Sequence, residues 1–248
     1  MKKIVLTMLA ALICVAAFAQ ENIKVAAAAN LRNVFAELKA KFEKGNPDIK
    51  VDVTFGSSGN FVQQILSGAS FDFFMAADTD FPLKLQEKGA TSGEVKPYIK
   101  GKLALWSGTL DVEKLGLEAL TSDAVKKIAI ANPKTAPYGE RAVELLKKQG
   151  LFDKLSSKII YGDNISAAAQ YAFTGNAELG FTALSLALAP DMKGKGHLYI
   201  VPQEYYTPIE QACVLIKKPA ISPAAVKFMD FVLGGGNDDI WVKYGYSK

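Results

Sequence analysis

Gly56-Ser57-Ser58-Gly59-Asn60 sets small residues, two hydroxyls and an amide where an apolar strand (Val51, Val53, Phe55) turns into an amphipathic helix. The first N–H groups of a helix have no partner inside it, and they carry the positive end of its dipole. Such a junction therefore holds an anion without help from a lysine or arginine. The same arrangement can be read at Ala28-Ala29-Asn30, along the loop from Asn132 to Gly139, and at Gly162-Asp163-Asn164. None of these junctions supplies a metal ligand set or a catalytic base.

Other chemistries find little material. The only histidine, His197, lies in the loop-like run Lys193-Gly194-Lys195-Gly196-His197. A serine hydrolase would have to recruit it, and no Gly-x-Ser-x-Gly elbow is present. Two cysteines and one histidine are too few for a metal site of those ligands. Asp72, Asp78 and Asp80 do not have the spacing of a calcium loop, and Gly56-Ser57-Ser58-Gly59 lacks the lysine of a P-loop. The expectation is a binding protein and no enzyme.

The elements that position these junctions alternate. Ile23–Ala28 reads as a buried strand, after which Asn30 is expected to cap a helix with Leu31, Val34, Phe35, Leu38 and Phe42 on one face. Strand 51–55, helix 61–67, strand 71–77 and helix 80–88 follow, with Gly68 and Gly89 as stops. Leu103–Trp106, Lys127–Ala131, Ile159–Tyr161 and Leu179–Leu184 read as strands. Helix 140–149 and helix 165–173, the latter capped by Asn164, lie between them. The tail runs from strand 212–216 through Ser222-Pro223 into helix 223–233, then past three glycines into a last short helix. Strand–helix alternation of this kind predicts an α/β fold with mostly parallel sheets.

Two seams, Lys96–Gly101 and Pro202–Pro208, divide the chain. If both are crossings, residues 20–100 and 207–248 form one lobe and 101–206 the other, with a cleft between two sheets. Ligands of open α/β sheets sit beyond the carboxyl ends of strands, where all four junctions lie.

Lys2 and Lys3, the apolar run Ile4–Phe18 and the Ala17-Phe18-Ala19 site have the pattern of a cleaved secretory signal over residues 1–19. Its removal takes two lysines from a net charge of +4, and the remaining balance points to neither nucleic acid nor membrane. Cys213 is then the one thiol left, expected in the core and without a disulfide partner.

Several segments taken together carry a resemblance. IKVAAAANLRNVFAELKAKF, FGSSGNFVQQI, FDFFMAADTDF, ANPKTAPYGERAVELL, DNISAAAQYAFTGNAELGFTAL and the terminal KYGY are similar, in order and across the mature chain, to periplasmic molybdate-binding proteins of ABC importers. The resemblance implies the two-lobed type II periplasmic-binding-protein fold, with molybdate or tungstate held between lobes by hydrogen bonds alone and no cofactor. The implied partners are the permease and ATPase subunits of the importer, and a monomer is the expectation. The positions implied to touch the oxyanion are Asn30, Ser58, Tyr138 and Ile165, the last through its backbone N–H. They hold the metal only as its oxyanion.

Some members of that family add a tyrosine hydroxyl from the strand that here reads Leu179–Ala183, where this chain has Ala183. Tyr138 is expected to replace that donor from the opposite wall. The physics of such a site needs donors: an amide NH₂ at Asn30, hydroxyls at Ser58 and Tyr138, and backbone N–H groups. Arg32 and Lys134 are read as surface cations. A site for sulfate, phosphate or a small carboxylate, and an exported enzyme of other chemistry, stay open as alternatives.

Overall fold

The computed structural model describes residues 20–248; the expected signal segment 1–19 lies outside the described residues. The first strand–helix units are β1 (Glu21–Ala28), α1 (Arg32–Gly45), β2 (Ile49–Gly56), α2 (Ser58–Leu66), β3 (Phe73–Met75) and α3 (Asp80–Glu87). Then come two consecutive strands, β4 (Thr91–Gly101) and β5 (Leu103–Ser107), and the short α4 (Val112–Leu115). The middle of the chain holds β6 (Ile128–Ala131), α5 (Pro137–Lys148), α6 (Phe152–Leu155), β7 (Ile159–Gly162) and α7 (Ile165–Phe173). It continues through β8 (Leu179–Ala183), α8 (Leu184–Ala187) and β9 (His197–Ile200). The chain closes with β10 (Ile209–Ile216), α9 (Pro223–Leu233) and α10 (Asp238–Lys243).

These strands make two five-stranded sheets, ordered β2-β1-β3-β10-β4 and β7-β6-β8-β5-β9. In each, four strands run in one direction and one, β10 in the first sheet and β5 in the second, is antiparallel to both of its neighbours. The α/β reading with mostly parallel sheets holds. The reversed strand in each sheet is the one the chain enters directly after crossing from the other sheet.

The first sheet packs its helices around a cluster of aromatic rings. Phe228 of α9 meets Phe42 at 4.9 Å and both Phe35 and Phe73 at 5.8 Å. Helix α1 contributes Val34, Phe35, Leu38 and Phe42, the face that the 3.6-residue period marks out. The second sheet buries Leu103, Leu105, Ile128, Ile130, Leu179 and Phe181 under α5 and α7. Cys213 is fully buried in β10 with no partner among the described residues, and burial pushes its thiol up to about 12, so it stays an inert apolar group.

Only Lys102 separates β4 from β5, so the chain passes between sheets there in a single residue. The return passes through Val201–Pro208, where the Tyr206 hydroxyl accepts the Leu103 N–H at 3.0 Å and joins the two crossings. Close approach is needed at Gly139, since a Cβ there would fall on the carbonyl of Ala131. That lets α5 begin directly against the end of β6.

The Phe228→Ala variant removes the ring at the centre of the first sheet's core. Chemical denaturation should show a loss of about 3–5 kcal/mol, and a loss below 1 kcal/mol would mean the ring cluster is not what holds α9 in place.

Candidate functional site

Four chain reversals meet at one small cavity. It is lined by Ala28, Ala29 and Asn30 from the end of β1, by Gly56, Ser57 and Ser58 from the end of β2, and by Ala77 beyond β3. The facing wall is Ala136, Pro137 and Tyr138 at the start of α5, with Asn164 and Ile165 at the start of α7. About 190 Å³ of atom-free space, open solvent included, lies between them. No residue of this lining carries a charge. Three helix amino-ends and the 3₁₀ turn Ala29–Leu31 surround it instead, each end worth roughly half a positive charge. A larger hollow of about 1150 Å³, open solvent included, runs past Asp78, Asp80, Arg141 and Glu210; its mixed charges and exposure suit a surface groove.

The two halves of the chain touch across the cavity. The Gly59 N–H donates to Thr135 O at 2.8 Å, Ser166 Oγ to Ala29 O at 3.0 Å and Ser185 Oγ to Asn30 O at 2.9 Å. Gly59 is required here, because a Cβ would sit 2.8 Å from Thr135 Cα.

Each expected residue lines this cavity, but not always with the expected atom. Ser58 Oγ accepts the Ala77 N–H at 3.0 Å, which fixes the oxygen and leaves the hydroxyl proton to donate. Ile165 opens α7, and Asn164 caps it by accepting from the Ala167 N–H at 3.1 Å. Asn164 is thereby used up as a cap, while the Ile165 N–H stays free of intrahelical partners.

Asn30 departs from its expected capping role. It sits in the 3₁₀ turn before α1 and makes no side-chain cap. Its Nδ2 instead donates to Gln211 Oε1 at 2.9 Å and to the Tyr246 hydroxyl at 2.8 Å, and its Oδ1 is buried without a partner. A pull from two buried acceptors outweighs the single backbone N–H a cap would satisfy.

Tyr138 departs too. Its hydroxyl accepts from Gln211 Nε2 at 3.3 Å and lies so close to Gly101 that a Cβ there would fall on it. The hydroxyl is committed to the chain crossing and does not replace a donor missing at Ala183. What Tyr138 can offer the cavity is its backbone N–H in the first turn of α5.

Three features escape a sequence reading based on the junctions. Ser57, a residue 4 % exposed, is the N-cap of α2, yet its Oγ is buried with no partner among the described residues. Gln211 is fully buried in β10, whose other buried residues are all apolar, and an amide on the apolar side of exposed Glu210 is the signal that could have marked it. Asp78, beside the cavity's Ala77, is 7 % exposed. Burial pushes its carboxyl up to about 7; the like charges of Asp80 and Glu140 add to this, while the Phe81 N–H and Lys84 oppose it. Arg32 and Lys134 are exposed and do not line the site.

Residues 23–247 match the family described as bacterial extracellular solute-binding protein. The molybdate-binding protein ModA of Azotobacter vinelandii is 39 % identical over 247 residues, covering 99 % of this chain and 97 % of that protein. ModA of Rhodobacter capsulatus is 39 % identical over 223 residues, or 89 % and 86 % of the two chains. The solved Azotobacter vinelandii periplasmic molybdate-binding protein superposes with a TM-score of 0.86 at 32 % identity, covering 91 % of this chain and 99 % of that one. The chain belongs to the bacterial extracellular solute-binding protein family.

Asp78 generates a pH prediction whose sign follows from linkage. A bound anion makes the nearby carboxylate costlier and raises its pKa, so binding takes up a proton. Affinity for a permanently dianionic probe such as sulfate or molybdate should fall as pH rises through about 7. The limit for one proton is roughly tenfold per pH unit. Asp78→Asn should flatten the profile in calorimetry; an unchanged slope would place the titrating group elsewhere.

Proposed function

We propose that this member of the solute-binding family captures molybdate or tungstate between two lobes and delivers it to the permease and ATPase subunits of an ABC importer. The lobes are residues 20–100 with 207–248, and residues 101–206, and they close about the crossings at Lys102 and Val201–Pro208. The protein works as a monomer in the periplasm after loss of residues 1–19. The oxyanion is held by hydrogen bonds alone, with Asn30, Ser58, Tyr138 and Ile165 as its contacts, Tyr138 and Ile165 through backbone N–H groups.

The observation that carries this reading is the convergence of helix amino-ends on a small cavity with no charged side chain in its lining. A dianion needs donors all round and no acceptor turned toward it. Fixed backbone dipoles supply these without a counter-ion whose removal from water would cost several kcal/mol. Relatives named as molybdate-binding proteins over nearly their whole length favour this anion over the alternatives. The same relatives are binding proteins, which leaves no support for an enzyme reading.

Selectivity then rests on size and protonation. Sulfate carries the same charge but is smaller, so donors fixed on two closing lobes cannot all reach it. Losing two charge-assisted bonds at about 1.5–3 kcal/mol each separates the two anions by about 10²–10⁴ in affinity. Titration calorimetry against molybdate, tungstate, sulfate and hydrogen phosphate tests this. Molybdate and tungstate should bind alike, and sulfate that competes at equal concentration would overturn the ligand assignment.

Ser58→Ala should weaken molybdate roughly ten- to hundredfold, since its hydroxyl bonds to charge. Unchanged affinity in a variant with native circular dichroism would remove Ser58 from the site.

A further inference from the structure

Behind the cavity lies a buried polar cluster that the anion site alone does not require. Asn30, Tyr98, Gln211 and Tyr246 come from the first sheet and its tail, Tyr138 from α5. Asn30 Nδ2 donates to Gln211 Oε1 and to Tyr246. The Tyr98 hydroxyl lies 3.0 Å from Gln211 Oε1 and 2.9 Å from Ala76 O, and Gln211 Nε2 donates to Tyr138. Burial holds the Tyr98 and Tyr138 phenols well above their ordinary pKa, so both keep their protons.

In this arrangement two groups go unused: the acceptor Asn30 Oδ1, fully buried on a residue of the cavity lining, and the proton of Tyr138. An acceptor there repels a fully ionised oxyanion. Turning both amides by half a turn moves almost no atoms but exchanges N for O at each position. Gln211 Nε2 then donates to Asn30 Oδ1 and Tyr98, Tyr246 donates to Asn30 Oδ1, and Tyr98 donates to Ala76 O. Tyr138 donates to Gln211 Oε1. Tyr246, with one proton, then lets go of Asn30 O and Ser185 Oγ, which it reaches at 3.0 and 3.1 Å in the first setting; Ser185 still donates to Asn30 O, and the amide group left over is Asn30 Nδ2, now a donor.

We propose that the Asn30–Gln211 amide pair is a two-position relay that selects fully ionised oxyanions over proton-bearing ones, with Gln211 as the positioning residue and Tyr138 its link to the other lobe. An anion made only of acceptors favours the donor setting of Asn30. An anion that carries a proton, such as hydrogen phosphate, gains a partner for it only in the acceptor setting. The setting is passed through Gln211 to Tyr138, which donates to the crossing strand only when the anion is fully ionised. Ligand chemistry is thereby read at the contact between lobes.

This inference rests on the oxyanion reading of the site, and its test separates the two. The pair sulfate and hydrogen phosphate is nearly matched in size and, at a pH where phosphate is mainly the monohydrogen form, in charge; only the proton differs. Gln211→Glu, at a pH where the carbon chemical shift of the new carboxyl shows it ionised, offers acceptors alone to both Asn30 and Tyr138 and so holds Asn30 Nδ2 away from the bound anion. Any penalty from the added charge falls equally on the two dianions. Competition against bound molybdate should show the sulfate-to-phosphate affinity ratio falling at least tenfold in this variant. A ratio within twofold of wild type, in a variant with native circular dichroism, overturns the relay while leaving the oxyanion site in place.

Wild-type protein gives an answer that does not depend on the variant folding. In the molybdate-loaded protein, nuclear Overhauser contacts from the Gln211 side-chain NH₂ should reach the Tyr98 ring. Contacts to the Tyr138 ring instead would overturn the relay. Failure of wild type to bind molybdate, tungstate or sulfate would overturn the oxyanion reading itself.

Discussion

Uncovered backbone N–H groups, aimed from several directions at one desolvated point, are the constraint on which the rest of this structure depends. Lysine or arginine would neutralise a dianion with fewer parts, but each is flexible and binds any anion of suitable charge. Backbone donors at helix starts cannot adjust, so they must be delivered by the fold. Strands β1, β2, β6 and β7 each turn within a few residues into a helix or 3₁₀ turn whose start lines the cavity. Gly59 and Gly139 are consequences of that demand. The first lets two junctions from opposite halves share a hydrogen bond, and the second lets α5 start against β6 with no gap.

The order β2-β1-β3-β10-β4 has the same pattern as β7-β6-β8-β5-β9, with four strands in one direction and the fourth in the order reversed. No repeat is visible in the sequence, because what the two sheets share is a plan of directions and not a set of side chains. The reversed strands are those the chain enters as it crosses from the other half. The polar cluster of Asn30, Gln211, Tyr98, Tyr138 and Tyr246 sits where they meet the cavity. Buried polar groups are costly when unpaired and rigid when paired, so a cluster with one spare atom is sensitive to what arrives beside it.

Periodicity made much of this legible. The apolar stripe of α1, the Ser222-Pro223 start of α9 and the Asn164 cap of α7 all stand where local rules put them. Strand β4 was hidden, since Gly93 and Pro97 argue against a strand. It is an edge strand, and Pro97 pairs with Ala212 beside a shift in register, where a missing N–H costs little. The reversal of β5 and β10 was hidden for a related reason: strand direction follows from which sheet a segment joins, and no local signal encodes that.

At the site, the sequence by itself determined which residues stand at the helix starts. Small residues, hydroxyls and amides at strand–helix junctions are local signals with local causes and mark Asn30, Ser58 and Asn164; Tyr138 and Ile165 came from the family resemblance, and all of them line the cavity. Only the tertiary structure decided which atom each one turns where. The Tyr138 hydroxyl goes to Gln211 and Gly101, residues from another part of the chain, and Asn30 is taken up by Gln211 and Tyr246. A side chain's direction at a junction is set by the acceptors and donors that distant strands bring to it. Those distances do not exist until both sheets have formed.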